Sequence, residues 1–285
     1  MMDAFLEGTQ TKMKGALNGE LTIVGTADKP VVNGTLTFDK AHLYSHVYGV
    51  DLTLASQPVE IHNSLIQLKD FALTTVDGSP LKMSGVINME RPEAVFLNID
   101  MIAKNFPVID TKRKRESLVY GKVLTNFAAN IYGTPSKMTV RGLLTVLDQT
   151  DVTYLLTNSP ISSGSDISDL VTFTDFSDTL TAVAPVQQQN SSSLNVALTI
   201  RLRQGARFQC FLTPNGDSYV DVSGEGNLEL RMPPEGEMRL TGRLTLNEGK
   251  MNYELPVIPL RTFTLAPGSY VEFTGKMMNP TLNIT

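Results

Sequence analysis

The run SLNVALTIRLR, Ser193 to Arg203, alternates without a slip. Leu194, Val196, Leu198, Ile200 and Leu202 take one parity, and Asn195, Ala197, Thr199, Arg201 and Arg203 take the other. An extended chain sends successive side chains to opposite faces, so this run specifies a strand with one apolar face and one polar face. The pattern returns at Val50–Leu52–Leu54, Val95–Leu97–Ile99–Met101, Leu228–Leu230–Met232 and Leu244–Leu246. Turn-forming residues punctuate the runs in ADKP, VDGSP, ERPE, YGTPS, TPNGD, MPPEG, APGS and MNP. No helical stripe of useful length interrupts them. The chain reads as all-β, with many antiparallel strands, a turn every ten residues or so and no substantial helix.

Phrases also repeat. SYVEFTG (Ser269–Gly275) is echoed by SYVDVSG (Ser218–Gly224) and more loosely by SPLKMSG (Ser79–Gly85). An upstream frame recurs in VVNGTLTFDKAHLY, TVRGLLTVLDQTDVTY and RLTGRLTLNEGKMNY, each built around a glycine, Gly34, Gly142 or Gly242. Recurring units of this kind point to stacked hairpins that bury one apolar face together. The expected organisation is one continuous unit over 1–285, with repeat-like units near 15–100, 118–157 and 194–285. The Ser-, Asp- and Gln-rich segment 158–193 is expected to be a flexible loop with a short strand at Leu170–Phe173.

Composition narrows the function classes. A net charge of -5 argues against nucleic acid as a partner. The single Cys210 excludes an intrachain disulfide. No run of 18 apolar residues is present, and MMDAFLEGTQTKMKG lacks the apolar stretch of a secretory signal. A role outside the cytosol would therefore make this chain a piece of something longer. Twelve Met and no Trp suit an adaptable apolar surface better than a rigid anchor.

Catalytic and metal chemistry find little support. His42 and His46 share a strand face but would lie roughly 13 Å apart, too far for one metal ion. Asp166, Asp169, Asp175 and Asp178 lack the glycine-anchored spacing of a calcium loop. GEGNLEL lacks the third glycine and the helix of a phosphate loop. No nucleophile elbow, zinc-protease motif or C-x-x-C pair occurs, so neither an enzyme nor a resident metal or cofactor is expected. The basic run Lys112–Arg115 suits anionic headgroups or nucleic acid, but a solvated hairpin tip is the preferred reading.

GTLTFDKAHLY, GRLTLNEGKMNYEL, SDLVTFTDF and RTFTLAPGSYVEFTGKMMNPTLNIT resemble the C-terminal region of the TamB family, the translocation and assembly module group. That family sits among the AsmA-like, repeating β-groove bridge proteins. The most specific match is the closing signature of Phe263, Leu265, Gly268, Ser269, Val271, Phe273, Gly275, Asn279, Pro280 and Leu282. The resemblance runs from about Gly15 onward. It implies an elongated, U-shaped β-sheet groove with an apolar inner face, in the periplasm of a diderm bacterium. It further implies transfer of phospholipid or another acyl-chain lipid between inner and outer membranes, with an inner-membrane anchor outside this chain. The alternative role is assembly, by β-augmentation of an Omp85-family (TamA-like) barrel or of nascent outer-membrane strands. A carbohydrate-binding β-domain is disfavoured by the absence of Trp. The expected groove lining is Leu194, Val196, Leu198, Ile200, Leu202, Val220, Val222, Leu228, Leu230, Leu244, Leu246, Phe263, Leu265, Val271 and Phe273.

Overall fold

The computed structural model describes residues 11–26, 29–46, 48–114, 117–156, 193–213, 216–255, 258–266, 268–276 and 280–285. The all-β expectation holds. Among the described residues seventeen strands belong to one sheet. They are β1 (Thr11–Thr26), β2 (Lys29–Ser45), β3 (Asp51–Leu54), β4 (Val59–His62), β5 (Leu65–Thr75), β6 (Pro80–Asn88), β7 (Phe96–Thr111), β8 (Val119–Thr134) and β9 (Lys137–Val146). The remainder are β10 (Asp151–Leu155), β11 (Ser193–Leu202), β12 (Arg207–Phe211), β13 (Tyr219–Met232), β14 (Arg239–Leu255), β15 (Ile258–Thr264), β16 (Tyr270–Lys276) and β17 (Thr281–Asn283). The one helical element among the described residues is a single 3-10 turn at Pro92–Ala94.

Several short strands are halves of one long ribbon. β3 and β4 both lie between β2 and β5, meeting β2 at His42 and at Gly34. β9 and β10 both pair with β8, and β11 and β12 both pair with β13. The pairings β8–β9–β11–β13–β12–β10 thus close into a ring of six, with the other strands extending on both sides. Backbone bonds carry the ladder across the interruptions: Leu147 N–H donates to Leu124 O and Arg207 N–H to Thr150 O, both at 2.9 Å. Thr150, 1% exposed, donates its hydroxyl to Leu124 O and accepts from Leu124 N–H, so no backbone group there is left unpaired.

One pairing departs from the expected antiparallel hairpins. β9 and β10 run parallel to β11 and β12. A tight turn cannot join parallel neighbours. Ser193 lies beside Lys137, at the far end of the ribbon from Leu155. Leu155 and Ser193 therefore stand at opposite ends of a ribbon about 60 Å long, at about 3.3 Å per residue. Residues 158–192, including the expected strand at Leu170–Phe173, lie outside the described residues. Ser193, assigned to the loop by sequence, is the first residue of β11.

The repeated seven-residue phrase is a strand entry. Ser79, Ser218 and Ser269 stand just ahead of or at the start of β6, β13 and β16. The carbonyl of each accepts from a backbone N–H in or just past a neighbouring strand, Thr75 (3.1 Å), Leu212 (2.8 Å) and Leu246 (2.8 Å). The Ser269 hydroxyl donates to Ala266 O at 2.8 Å and accepts from Thr285 N at 3.1 Å, which ties the last residue back to the turn. Such a serine supplies the backbone bonds that a turn gives up before a strand begins.

Candidate functional site

Directly paired residues in a sheet share a face, so the registers reveal what each face carries. One row crosses ten strands: Leu54, Leu73, Leu81, Ala103, Phe127, Leu144, Ile200, Leu228, Gly242 and Phe273. No polar side chain interrupts it. Beside it runs Phe71, Met83, Met101, Ala129, Gly142, Leu198, Leu230, Leu240 and Gly275. On the other side lies Phe106, Thr125, Val146, Leu202, Gly226, Leu244, Val271 and Leu282. At 4.8 Å per strand the first row is about 43 Å long. It exists because the period-2 alternation of each strand is kept in phase with its neighbours; a slip of one residue would put the apolar set on the opposite face.

The structure brings the fifteen candidate residues to this one face. β11 carries Leu194 to Leu202; Val196 pairs with Val140 and Met232, and Leu198 with Leu230. On β13, Val220 faces Cys210 and Met251, while Val222 faces Phe208 and Gly249. Leu244 and Leu246 lie on β14, Phe263 on β15 opposite Met251, and Val271 and Phe273 on β16. Leu265 follows β15, where a Cβ built on Gly249 would meet its Cδ1 at 2.6 Å. Leu228, Leu246 and Leu265 are buried, Phe263 is exposed and the other eleven are half-buried. Among the described residues no second sheet and no helix lies against the face. Of the family-signature residues, Ser269 is fully buried, Gly268 is exposed at its turn, Gly275 closes the second row, Pro280 precedes β17, and Asn279 lies outside the described residues.

The same face continues through Leu81, Met83, Leu97, Ile99, Met101, Phe127, Val140 and Leu144. The alternation Val95–Met101 was signal enough for β7. The glycines of the face carry no side-chain signal, so only the register shows that Gly142, Gly226 and Gly242 occupy apolar positions. Cys210 also belongs here: it pairs with Val220 and Tyr154, and burial pushes its thiol pKa up.

The opposite face is polar. Along it, Asp110, Lys122, Asp151 and Arg207 stand in direct register on four successive strands, with signs alternating. Lys122 Nζ reaches Asp110 at 3.1 Å and Asp77 at 2.9 Å, and these bonds raise its pKa. Arg207 binds Asp221 at 2.5 Å and approaches Asp151 at 3.7 Å. The hydrogen bond from Arg207 holds the Asp221 carboxyl below its ordinary range. This ladder spans the place where the ribbons resume after their interruptions, and it fixes the register of the five-residue parallel pair β10–β12. A carboxylate depressed in the folded state stabilises above its unfolded pKa of about 3.9, and that contribution disappears as pH falls through the lower folded value. The urea midpoint is therefore expected to fall between pH 5 and pH 2. Asp221→Asn should lose about 1–3 kcal/mol at pH 7 and show a shallower acid slope. An unchanged slope in that variant would remove Asp221 from the account.

The histidines are spread over the strands. His42 lies 3.5 Å from Asp51 and 3.3 Å from Thr53, His46 packs edge-on against Tyr44, and His62 lies 3.3 Å from Glu60. Among the described residues no group of three His, Cys, Asp or Glu side chains converges as a metal site. No described helix is long and apolar enough to cross a membrane.

A family model described as TamB C-terminal domain matches residues 69–285. The match begins inside β5, whereas the resemblance read from sequence began near Gly15; β1 to β4 join the same sheet from outside the matched region. No curated protein and no solved structure gives a significant match.

Proposed function

Because the chain belongs to the TamB C-terminal domain family, whose role lies in the bacterial envelope and outer-membrane assembly, we propose that its apolar face carries the acyl chains of phospholipid across the periplasm. The supporting observation is the ten-strand apolar row from Leu54 to Phe273 on one face of a single sheet. Two acyl chains hold roughly thirty methylenes, and exposing them to water costs on the order of 20 kcal/mol. A continuous apolar trough, the sheet curved into a groove, removes most of that cost. It needs no acid, base or metal, only in-phase alternation and side chains that adapt to irregular chains. Met83, Met101 and Met138 on this face supply such adaptability. Lipid extraction and mass spectrometry of protein purified without detergent is the direct test. Near-stoichiometric phospholipid is expected; a lipid-free protein of normal stability would refute retention of cargo.

A second reading rests on the C-terminal edge. β17 is three residues long and exposed, with Leu282 61% and Ile284 47% accessible. This edge suits pairing with a strand of an Omp85-family barrel or a nascent outer-membrane protein. A photo-crosslinker at Leu282 is expected to capture such a barrel in cells. Absence of any outer-membrane adduct, with protein level unchanged, would eliminate this role for the edge.

A further inference from the structure

The basic run Lys112–Arg115 looked from sequence like a solvated hairpin tip, and the structure does place its described part between β7 and β8, exposed. Two other tips meet it there. The β2–β3 connection reaches over to β7, where Asp110 N–H donates to Tyr48 O at 2.8 Å. The β5–β6 turn reaches β8 through the bond from Lys122 to Asp77. Both thus fasten to the Asp110–Lys122 pair at the base of the β7–β8 hairpin. The three tips together present Tyr48, Val76 and Leu118, exposed by 54%, 84% and 48%. Beside them stand Lys112, Arg113 and Lys114, none in an ion pair among the described residues. Of the nearby acids, Asp110 and Asp77 share Lys122, Asp151 approaches Arg207 at 3.7 Å, and Asp51 lies 3.5 Å from His42. At the opposite end of the strands the exposed turns carry Glu90, Glu93, Glu235 and Glu237.

Exposed apolar side chains interleaved with exposed cations, of which Arg113 also lies 5.8 Å over the Tyr120 ring, match the boundary of an anionic bilayer, where headgroups meet the cations and the apolar tips enter the outermost hydrocarbon. We propose that these three hairpin tips dock the protein on an anionic lipid surface. The net charge of -5 does not oppose this. At physiological salt the Debye length is about 8 Å, so the acidic turns at the far end of strands about 50 Å long are screened. This proposal stands apart from the carriage of lipid on the apolar face.

The test is flotation with vesicles of phosphatidylcholine and phosphatidylglycerol at 3:1, against phosphatidylcholine alone, at 50 mM and 500 mM salt. Because the chain has no Trp, Tyr48→Trp supplies a single fluorescent reporter at one tip. Expected are flotation and a blue-shifted emission on the anionic vesicles at low salt, both reduced at high salt. The triple variant Lys112→Glu, Arg113→Glu, Lys114→Glu should lower partitioning roughly 100-fold, at about 1 kcal/mol per cation, with an unchanged circular dichroism spectrum. Val76→Ser with Leu118→Ser, which leaves the charge unchanged, should weaken binding but keep its salt dependence. Val196→Asp, on the apolar face, should float as the parent does. The proposal is overturned by absence of flotation on anionic vesicles, by equal binding to phosphatidylcholine, or by a triple variant that binds like the parent. Loss of flotation in Val196→Asp would equally overturn it, by assigning binding to the apolar face.

Discussion

The double variant Val196→Asp, Val222→Arg is expected to lose its co-purifying phospholipid, by at least tenfold in lipid-to-protein ratio, and to stay folded. Both positions are half-buried on the apolar face. Val196 stands between Val140 and Met232, and Val222 between Phe208 and Gly249. A charge at a half-buried position keeps partial access to water, so each change should cost the fold about 1–3 kcal/mol. For an acyl chain lying on the row the same charge is a break in an otherwise dry path. Cys210 supplies an independent readout. It is the only cysteine and lies on the same face, paired with Val220. Bound acyl chains should slow its alkylation in the parent, and the double variant should be alkylated faster. Unfolding of both single variants would identify the face as a closed core. Retained lipid in a folded double variant would place the cargo elsewhere.

Gly242→Ala is expected to be strongly destabilising although it adds a single methyl group to the apolar face. Gly242 lies between Leu228 and Phe273 in the ten-strand row, with φ at +123°. A Cβ there would stand 2.3 Å from Asn227 O and 3.0 Å from Leu228 Cα, both backbone atoms of the neighbouring strand. Neither moves without separating β13 from β14. The added methyl group therefore meets backbone strain and a clash together, about 3 kcal/mol or more. Gly275→Ala is the matched control. Its φ is +135°, but nothing lies within 4 Å of the Cβ position. Strain alone applies there, about 1–2 kcal/mol. Denaturant midpoints should therefore fall much further for Gly242→Ala than for Gly275→Ala. Equal losses would show that close strand approach at Gly242 contributes nothing.

Much of this architecture was legible from residue order because a strand's two faces are a strictly local property. SLNVALTIRLR assigns each of its side chains to a face before any partner is known. The turn residues mark where the ribbons end, and the closing signature from Phe263 to Leu282 carries the family. Less legible was everything that depends on which strands become neighbours. The parallel pairing of β9 with β11 lies outside a hairpin reading, because the residues that create it are separated by the 158–192 segment. The part of the face on β5 to β9 shows the same alternation as the later strands. Face-lining glycines have no side chain to declare their side.

The amino-acid sequence by itself determined the strand class, the two-faced character of each strand, the sites of the turns and the family, because each follows from short-range periodicity or from a contiguous motif. Only the tertiary structure decided that successive apolar faces stay in register across ten strands, since register is a relation between segments far apart in the chain. It also decided that Arg207 meets Asp221 across the polar face. And it gathered Tyr48, Val76 and Leu118 beside the basic tip, because Asp110 and Lys122 bind three hairpins that sequence order keeps separate.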